Sequence, residues 1–434
     1  MKKPLTIFWF RRDLRLEDNV GLAAALQGDN PVLPIFIFDT DILDSLPRDD
    51  HRVTFIWQQL DQMNKKLKKD HGSGIAMYHG NVLDVFKQIT KEHSIEAVYT
   101  NHDYEPTAKK RDKAIADFLN QQDIEFNTFK DQVIFEKLEI TKGDGGAYKV
   151  YTPYMRKWKQ KLLSGDSIKN HPTNIKNYFK SKKIPYLSLA DIGFEESKIT
   201  PPAPDTSEQI IEEYSHVRNF PGLSATSKIG TYLRFGTISI RKLVAKAHES
   251  DDDTYLNELI WREFFMQILW NFPYSQTQAF KPAYDSVSWR NDEDDFEKWK
   301  NGQTGYPLVD AGMRELNQTG YMHNRVRMVT ASFLVKHLLI DWKWGEAYFA
   351  KKLLDYELAS NNGNWQWSAG TGCDSAPYFR IFNPESQLTK FDKGMEYVET
   401  WAPEYLKDTH PEPMVDHKFA RERCLETYKK GIDS

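Results

Sequence analysis

Five short apolar runs in the first 130 residues limit what this chain can become: LTIFWF (5–10), VLPIFIF (32–38), GIAMYHG (74–80), EAVYT (96–100) and EFNTF (125–129). Each has strand length and is rich in β-branched and aromatic residues. Helical patterns near 20–27, 53–68, 82–92 and 106–121 lie between them. Strands alternating with helices specify a parallel, doubly wound sheet, because each parallel return needs a crossover. Such a sheet takes ligands at the carboxyl ends of its strands. The first strand, however, runs into RRDLRLEDN without G-x-G-x-x-G, so no dinucleotide pyrophosphate is expected on the helix that follows.

From Asp131 to about Thr200 the period weakens. Gly, Asn, Lys and Pro in KGDGGAYKVYTPY (142–154) and NHPTNIKNYFKSKKIPY (170–186) predict an interdomain connection over the surface, closed by PPAPD (201–205). Helical patterns then take over, among them SEQIIEEYSHVRNF (207–220), TYLNELIWREFFMQILW (254–270), RVRMVTASFLVKHLLI (325–340) and KWGEAYFAKKLLDYELA (343–359). The expected organisation is an α/β domain over 1–130, a connection over 131–204 and a mostly α-helical domain over 205–434. At 434 residues the chain is long enough for two or three domains.

A net charge of −4 means that any contact with nucleic acid needs a local basic face. Cys373 and Cys424 are the only cysteines, which excludes a disulfide scaffold and a cysteine-type zinc site; no metal is expected. The apolar run of MKKPLTIFWFRRD is too short for a signal peptide or a membrane span, so a soluble cytoplasmic protein is expected. The chain has 12 tryptophans. Those between Glu258 and Trp367 lie among amides and arginines, where nucleophiles and metal ligands are nearly absent. That mixture suits a flat aromatic cofactor, one-electron traffic through indoles and stacking on bases.

FWFRRDLRLEDN (8–19), the run from Tyr214 to Ser239, ELIWREF (258–264), QTGYP (303–307), MHNRVRM (322–328), ASNNGNWQW (359–367) and APYFRIFNP (376–384) resemble the photolyase and cryptochrome family. The likeness spans essentially the whole chain and is greatest to class I cyclobutane pyrimidine dimer photolyases. It implies a monomeric, light-driven DNA repair enzyme with FAD in the helical domain and an antenna-type α/β domain. Excited reduced FAD would give an electron to a flipped-out dimer and take it back after ring splitting.

Residue by residue, the resemblance implies a flavin site of Tyr214, the phosphate-binding run Thr226, Ser227, Lys228, Ile229 and Gly230, then Tyr255, Arg262, Asn324, Arg327, Asp355, Glu357 and Asn361. Asn361 would face flavin N5, where an amide offers both donor and acceptor; Arg327 and Asp355 would pair beside the ring. Glu258 and Trp261 share a helix face. Glu258, protonated in a dry site, would donate to a dimer carbonyl. Trp261 and Trp367 would wedge the splayed bases, with Asn324 on a base edge and Met328 as soft contact. Arg218, Arg325 and Arg380 would hold DNA phosphates, and Trp289, Trp342 and Trp365 would carry electrons from the surface.

One departure concerns the antenna. Thr107 and Ala108 stand where folate-binding members carry Asn-Glu. That weakens a methenyltetrahydrofolate and leaves a deazaflavin, a flavin or no antenna. Asn324, where a (6-4) photolyase would carry His, favours the cyclobutane lesion. A signalling cryptochrome and a dehydrogenase built on GTGCDS (370–375) are the other readings.

Overall fold

The computed structural model describes residues 4–173, 176–407 and 411–433. They form two units. The first comprises residues 1–136, 161–200 and 229–249; the second comprises 137–160, 201–228 and 250–434. This division by contacts differs from the expected boundaries near 130 and 205, because the chain passes between the units several times.

In the first unit five parallel strands, β1 (Leu5–Phe10), β2 (Val32–Asp39), β3 (Ala76–Gly80), β4 (Ile95–Asn101) and β5 (Glu125–Phe129), stand in the order β3-β2-β1-β4-β5. They alternate with α1 (Val20–Gln27), α2 (Thr40–Leu43), α3 (His51–His71), α4 (Val82–Glu92) and α5 (Pro106–Asn120). All but the single turn α2 follow the expected pattern. Side chains of β1 alternate between two apolar layers, Phe8 and Phe10 on one face and Ile7 and Trp9 on the other, as the period of two requires. Pro34 is tolerated inside β2 because pairing with β3 begins only at Ile35.

Beyond β1 the run RRDLRLEDN is tied up by charge. Arg15 pairs with Asp131 at 2.7 Å, and Arg241 reaches the same carboxylate at 2.9 Å as well as Asp18 at 3.1 Å. Burial alone would raise the Asp131 pKa, but the two guanidiniums outweigh it and hold the carboxyl below its usual range.

The helix α6 (Tyr151–Leu162) lies inside the segment expected to be a connection, and the chain passes from the second unit back to the first near its end. Tyr151, Tyr154, Trp158 and Leu162 form its buried stripe; the lysines between them hide this stripe in the sequence. Trp158 Nε1 donates to buried Glu263 at 2.5 Å. The remaining helices are α7 (Glu208–Glu212), α8 (Tyr214–Val217), α9 (Gly230–Arg234), α10 (Ile240–Glu249), α11 (Thr254–Asn271), α12 (Glu293–Lys300), α13 (Pro307–Thr319), α14 (Asn324–Ser332), α15 (Trp342–Lys352), α16 (Leu358–Ala369), α17 (Pro384–Phe391), α18 (Glu396–Trp401) and α19 (His417–Asp433). Of these, α9 and α10 count with the first unit. In the second unit α16 packs against α11, α14 and α15. Among the described residues no helix is long and apolar enough to cross a membrane.

The charge network sets a prediction. Asp131→Asn leaves two buried guanidiniums short of a counter-charge and should lower unfolding free energy at pH 7 by about 3–5 kcal/mol. The folded carboxyl is depressed, so its contribution is present above the unfolded value of about 3.9 and is lost as pH falls through the folded value. Chemical denaturation at several pH values should therefore show the gap to wild type closing in acid.

Candidate functional site

Tyr255, Glu258, Arg262 and Phe265 recur along α11 at spacings of three and four, so they line one stripe. On α14 the same rule groups Asn324 with Met328, and Asn324 Nδ2 lies 3.9 Å from Met328 Sδ. On α16 it groups Asn361 with Trp365. The elements that carry these residues are packed together in one unit, with α8 against α11. Asn324 is exposed, Glu258, Trp261, Met328 and Trp367 are half-buried, and Asn361 and Trp365 are buried.

Asn361 is held by a residue that sequence reasoning passed over. Its amide nitrogen donates to Glu346 Oε1 at 2.8 Å and to the Glu346 carbonyl at 3.1 Å. Both amide hydrogens are thereby used, which leaves the carbonyl oxygen as the free function. The side chain offers an acceptor, not the donor-and-acceptor pair expected of it. Burial pushes the Glu346 carboxyl above its usual range, and the bond from Asn361 offsets this only in part.

Tyr151 is a second such residue. Its ring stacks on Trp261 at 3.7 Å between centroids and 6° between planes, and Phe265 lies against the same indole at 5.5 Å and 30°. Glu258 accepts from Arg218 Nη1, both side chains being about one-third exposed at 37% and 33%. Arg218, one of the three arginines expected near DNA phosphates, is thus paired with a carboxylate.

Positive charge gathers beside this pair. Arg325 has its pKa lowered by burial, then by Arg218 and Arg380, so the three arginines expected to touch DNA do lie near one another. His323 caps α14, its Nδ1 accepting from the Arg325 N–H at 3.2 Å. Burial, then Arg327, Arg325 and Lys228, push its pKa down to about 4. His323 Nε2 and Arg325 Nε are buried without a hydrogen-bond partner. The guanidiniums of Arg218, Arg325 and Arg380 together give this part of the unit a local positive charge that suits a phosphate-bearing ligand.

Arg327 makes a two-pronged bond to Asp355 at 3.1 and 2.9 Å and donates from Nε to the Met322 carbonyl. Lys228 takes a positive φ of 51° in the turn after Thr226 and Ser227, with Nζ 2.9 Å from Ser224 Oγ. Ile229 and Gly230 continue that turn within the first unit. Glu357 caps α16 by accepting from the Ser360 N–H at 2.9 Å, and Arg380 is exposed with its guanidinium 5.8 Å from the Phe382 ring.

Trp342 and Trp365 share one core cluster, with Trp289 packed at its edge. Gly345 brings the α15 backbone directly onto the Trp365 ring, since a Cβ there would lie 2.1 Å from Cη2. Trp289 meets Tyr428 edge-on at 5.7 Å.

The chain thus combines a parallel α/β unit with a helical unit that gathers tryptophans, amides and arginines. Residues 6–174 match the family described as DNA photolyase, and residues 255–408 match the FAD binding domain of DNA photolyase. The deoxyribodipyrimidine photo-lyase of Vibrio cholerae is 34% identical over 98% of this chain and 99% of its own. The structure of a bacterial class III photolyase from Agrobacterium tumefaciens superposes with a TM-score of 0.88 at 32% identity, covering 100% of this chain and 99% of that one. An archaeal photolyase from Sulfolobus tokodaii with two FAD molecules superposes with a TM-score of 0.85 at 32% identity over 98% and 100%. The chain belongs to the DNA photolyase family, and FAD is its cofactor.

Glu346→Ala should remove the side-chain acceptor of the buried Asn361 amide, leaving only the backbone carbonyl of residue 346, and cost about 1–3 kcal/mol, while Glu346→Gln, which keeps a side-chain acceptor, should cost less. Thermal melts of the two variants, with and without FAD, would check the order.

Proposed function

We propose that the chain is a deoxyribodipyrimidine photo-lyase that repairs cyclobutane pyrimidine dimers in ultraviolet-damaged DNA. The observation that carries this reading is a half-buried indole stacked on Tyr151, one helical turn from a carboxylate that is paired to one of three neighbouring guanidiniums. When bound, FAD would supply the photochemistry, a single electron lent to the dimer by its reduced, excited form and returned after the cyclobutane bonds open.

The protein's part is binding, orientation and exclusion of water. Arg218, Arg325 and Arg380 take DNA phosphates, which positions the strand without reading sequence. An ion pair as exposed as Arg218–Glu258 is worth only about 0–1 kcal/mol. An incoming phosphate can therefore compete for Arg218 at little cost and release Glu258 toward the lesion. Glu258 then donates a hydrogen bond to a dimer carbonyl, a role that needs its carboxyl protonated. Trp261, held flat by Tyr151, stacks on one everted base; Trp367 flanks the other, and Asn324 and Met328 complete the contact.

Tyr214, Thr226, Ser227, Lys228, Ile229, Gly230, Tyr255, Arg262, Arg327, Asp355 and Glu357 would hold FAD. Asn361, its nitrogen committed to Glu346, presents a carbonyl that suits a protonated N5. Trp365, Trp342 and Trp289 supply electrons that keep the flavin reduced. The protein would act as a monomer in the cytoplasm, on the nucleoid.

The reading is tested by the absorption spectrum of the purified protein before and after blue light, followed by an assay on an oligonucleotide carrying a thymine dimer. Flavin bands without dimer splitting would turn the assignment toward a light receptor. Glu258→Ala and Trp261→Ala should each lower repair by about tenfold or more while bound FAD is retained. Separately, Arg218→Ala, Arg325→Ala and Arg380→Ala should each reduce the slope of log K against log salt by about 1, as read by fluorescence anisotropy in the dark.

A further inference from the structure

The expected electron path runs from Trp365 through Trp342 to Trp289, but Trp365 has another indole against it. Trp299 is fully buried and meets Trp365 edge-to-face, with centroids 6.2 Å apart and planes at 73°. Phe349 bridges the same pair, 5.0 Å from Trp365 and 6.0 Å from Trp299. On its far side Trp299 stacks on Phe296 at 5.7 Å and 14°, and Phe296 meets Trp344 at 5.2 Å. Trp344 is half-buried. A file of aromatic rings thus leads from the innermost indole of the proposed chain to one that solvent can reach.

The chemistry along this file favours hopping. An electron vacancy moves between easily oxidised rings in near contact, and indole is the most easily oxidised of these side chains. Phenylalanine is too hard to oxidise to hold a vacancy, so Phe296 serves as a bridge. Tyr348 also touches Trp299, at 5.9 Å, yet it makes a poor terminus. A tyrosine is oxidised readily only as its proton leaves, and the Tyr348 hydroxyl donates to the amide oxygen of Asn317 at 2.5 Å, which is no base. The Lys300 ammonium lies near both rings, 5.1 Å from Phe296 and 5.7 Å from Tyr348, so it does not separate the two routes. Trp299 itself keeps its Nε1–H on the Thr330 carbonyl at 3.1 Å, whose negative end favours a transient positive charge on the indole.

We propose that Trp299 and Trp344 form a second electron entry to Trp365, parallel to Trp342 and Trp289. The inference rests on the reading that Trp365 donates to FAD. Trp365, having given up one electron, takes one from Trp299; Trp299 takes one from Trp344; the oxidised Trp344 takes one from a thiol in solvent. Each step moves a single electron, and two oxidised thiols lose their protons and couple to a disulfide. Trp299 and Trp344 act as relay residues that touch neither flavin nor lesion.

The test uses the full chain loaded with oxidised FAD and flashed with blue light, with dithiothreitol as the thiol. Flavin reduction and the transient absorbance of oxidised indole are followed, and peptide mass spectrometry locates oxygen adducts after illumination without thiol. Trp289→Phe alone should keep a measurable share of photoreduction. Trp289→Phe combined with Trp344→Phe should lose at least about tenfold more, and adducts should appear on Trp344 in the wild type and in Trp289→Phe. Trp299→Phe should abolish the Trp344 adducts. Because Trp299 lies in the core, the half-buried Trp344→Phe keeps the test decisive if that variant folds poorly. Complete loss of photoreduction in Trp289→Phe, with Trp344 unmarked while wild type reduces normally, would overturn the second entry alone. A wild type that shows neither photoreduction nor an indole radical would overturn the parent reading instead.

Discussion

The helical unit depends on how closely α15 can approach α16. Gly345 carries no side chain, so the α15 backbone rests on the Trp365 ring. Glu346, the next residue, is thereby brought to Asn361, and its carboxylate and carbonyl fix the amide. One bare backbone position thus sets both the redox and the hydrogen-bonding character of the site: which ring edge of Trp365 is covered, and which end of Asn361 is free. A methyl group at 345 would have to push the indole aside, and the rings around it, Phe349 and Trp299, are packed without slack.

Electrostatics in the same unit is a matter of placement, not of total charge. A chain of net charge −4 cannot steer itself to DNA as a whole. Arg218, Arg325 and Arg380, however, lie close enough to depress Arg325, and this crowding is tolerable only while an anion is near. Glu258 supplies it for Arg218 in the protein alone. Among the described residues Arg325 finds no carboxylate: its Nη2 donates to the neutral Asn219 amide at 2.5 Å.

Much of this was legible in the sequence, for identifiable reasons. The strands could be read because parallel strands buried on both faces appear as unbroken apolar runs, as LTIFWF does. Glu258, Trp261, Asn361 and Trp365 could be singled out because they stand in dense motifs. Tyr151 could not, because lysines separate the buried positions of α6, and a long-range ring stack leaves no mark on local pattern. Glu346 looks like any exposed helical glutamate in KWGEAYF; only the approach at Gly345 buries it. In the sequence His323 is only a neighbour of Asn324, whereas its environment depends on where Arg327 and Lys228 arrive in the fold. The helix α19 buries Cys424 and Tyr428, two positions four apart that a charged background conceals.

The tryptophans divide by what surrounds them. A buried indole needs an acceptor for its N–H, and Trp57, Trp158 and Trp299 find theirs in the Leu187 carbonyl, Glu263 and the Thr330 carbonyl. That accounts for packing but does not decide redox use. Charge over the ring does. Trp9 lies under two guanidiniums, Arg11 at 4.8 Å and Arg111 at 5.1 Å. A cation held over the π face raises the energy of a positively charged indole, so Trp9 suits a stacking platform and not a relay. Lys343 sits 5.8 Å from the Trp342 ring, a weaker form of the same opposition, because Lys343 is exposed and water screens it. The energy of a vacancy on Trp342 should thus vary with ionic strength. One on Trp299, buried and held by a neutral carbonyl, should not.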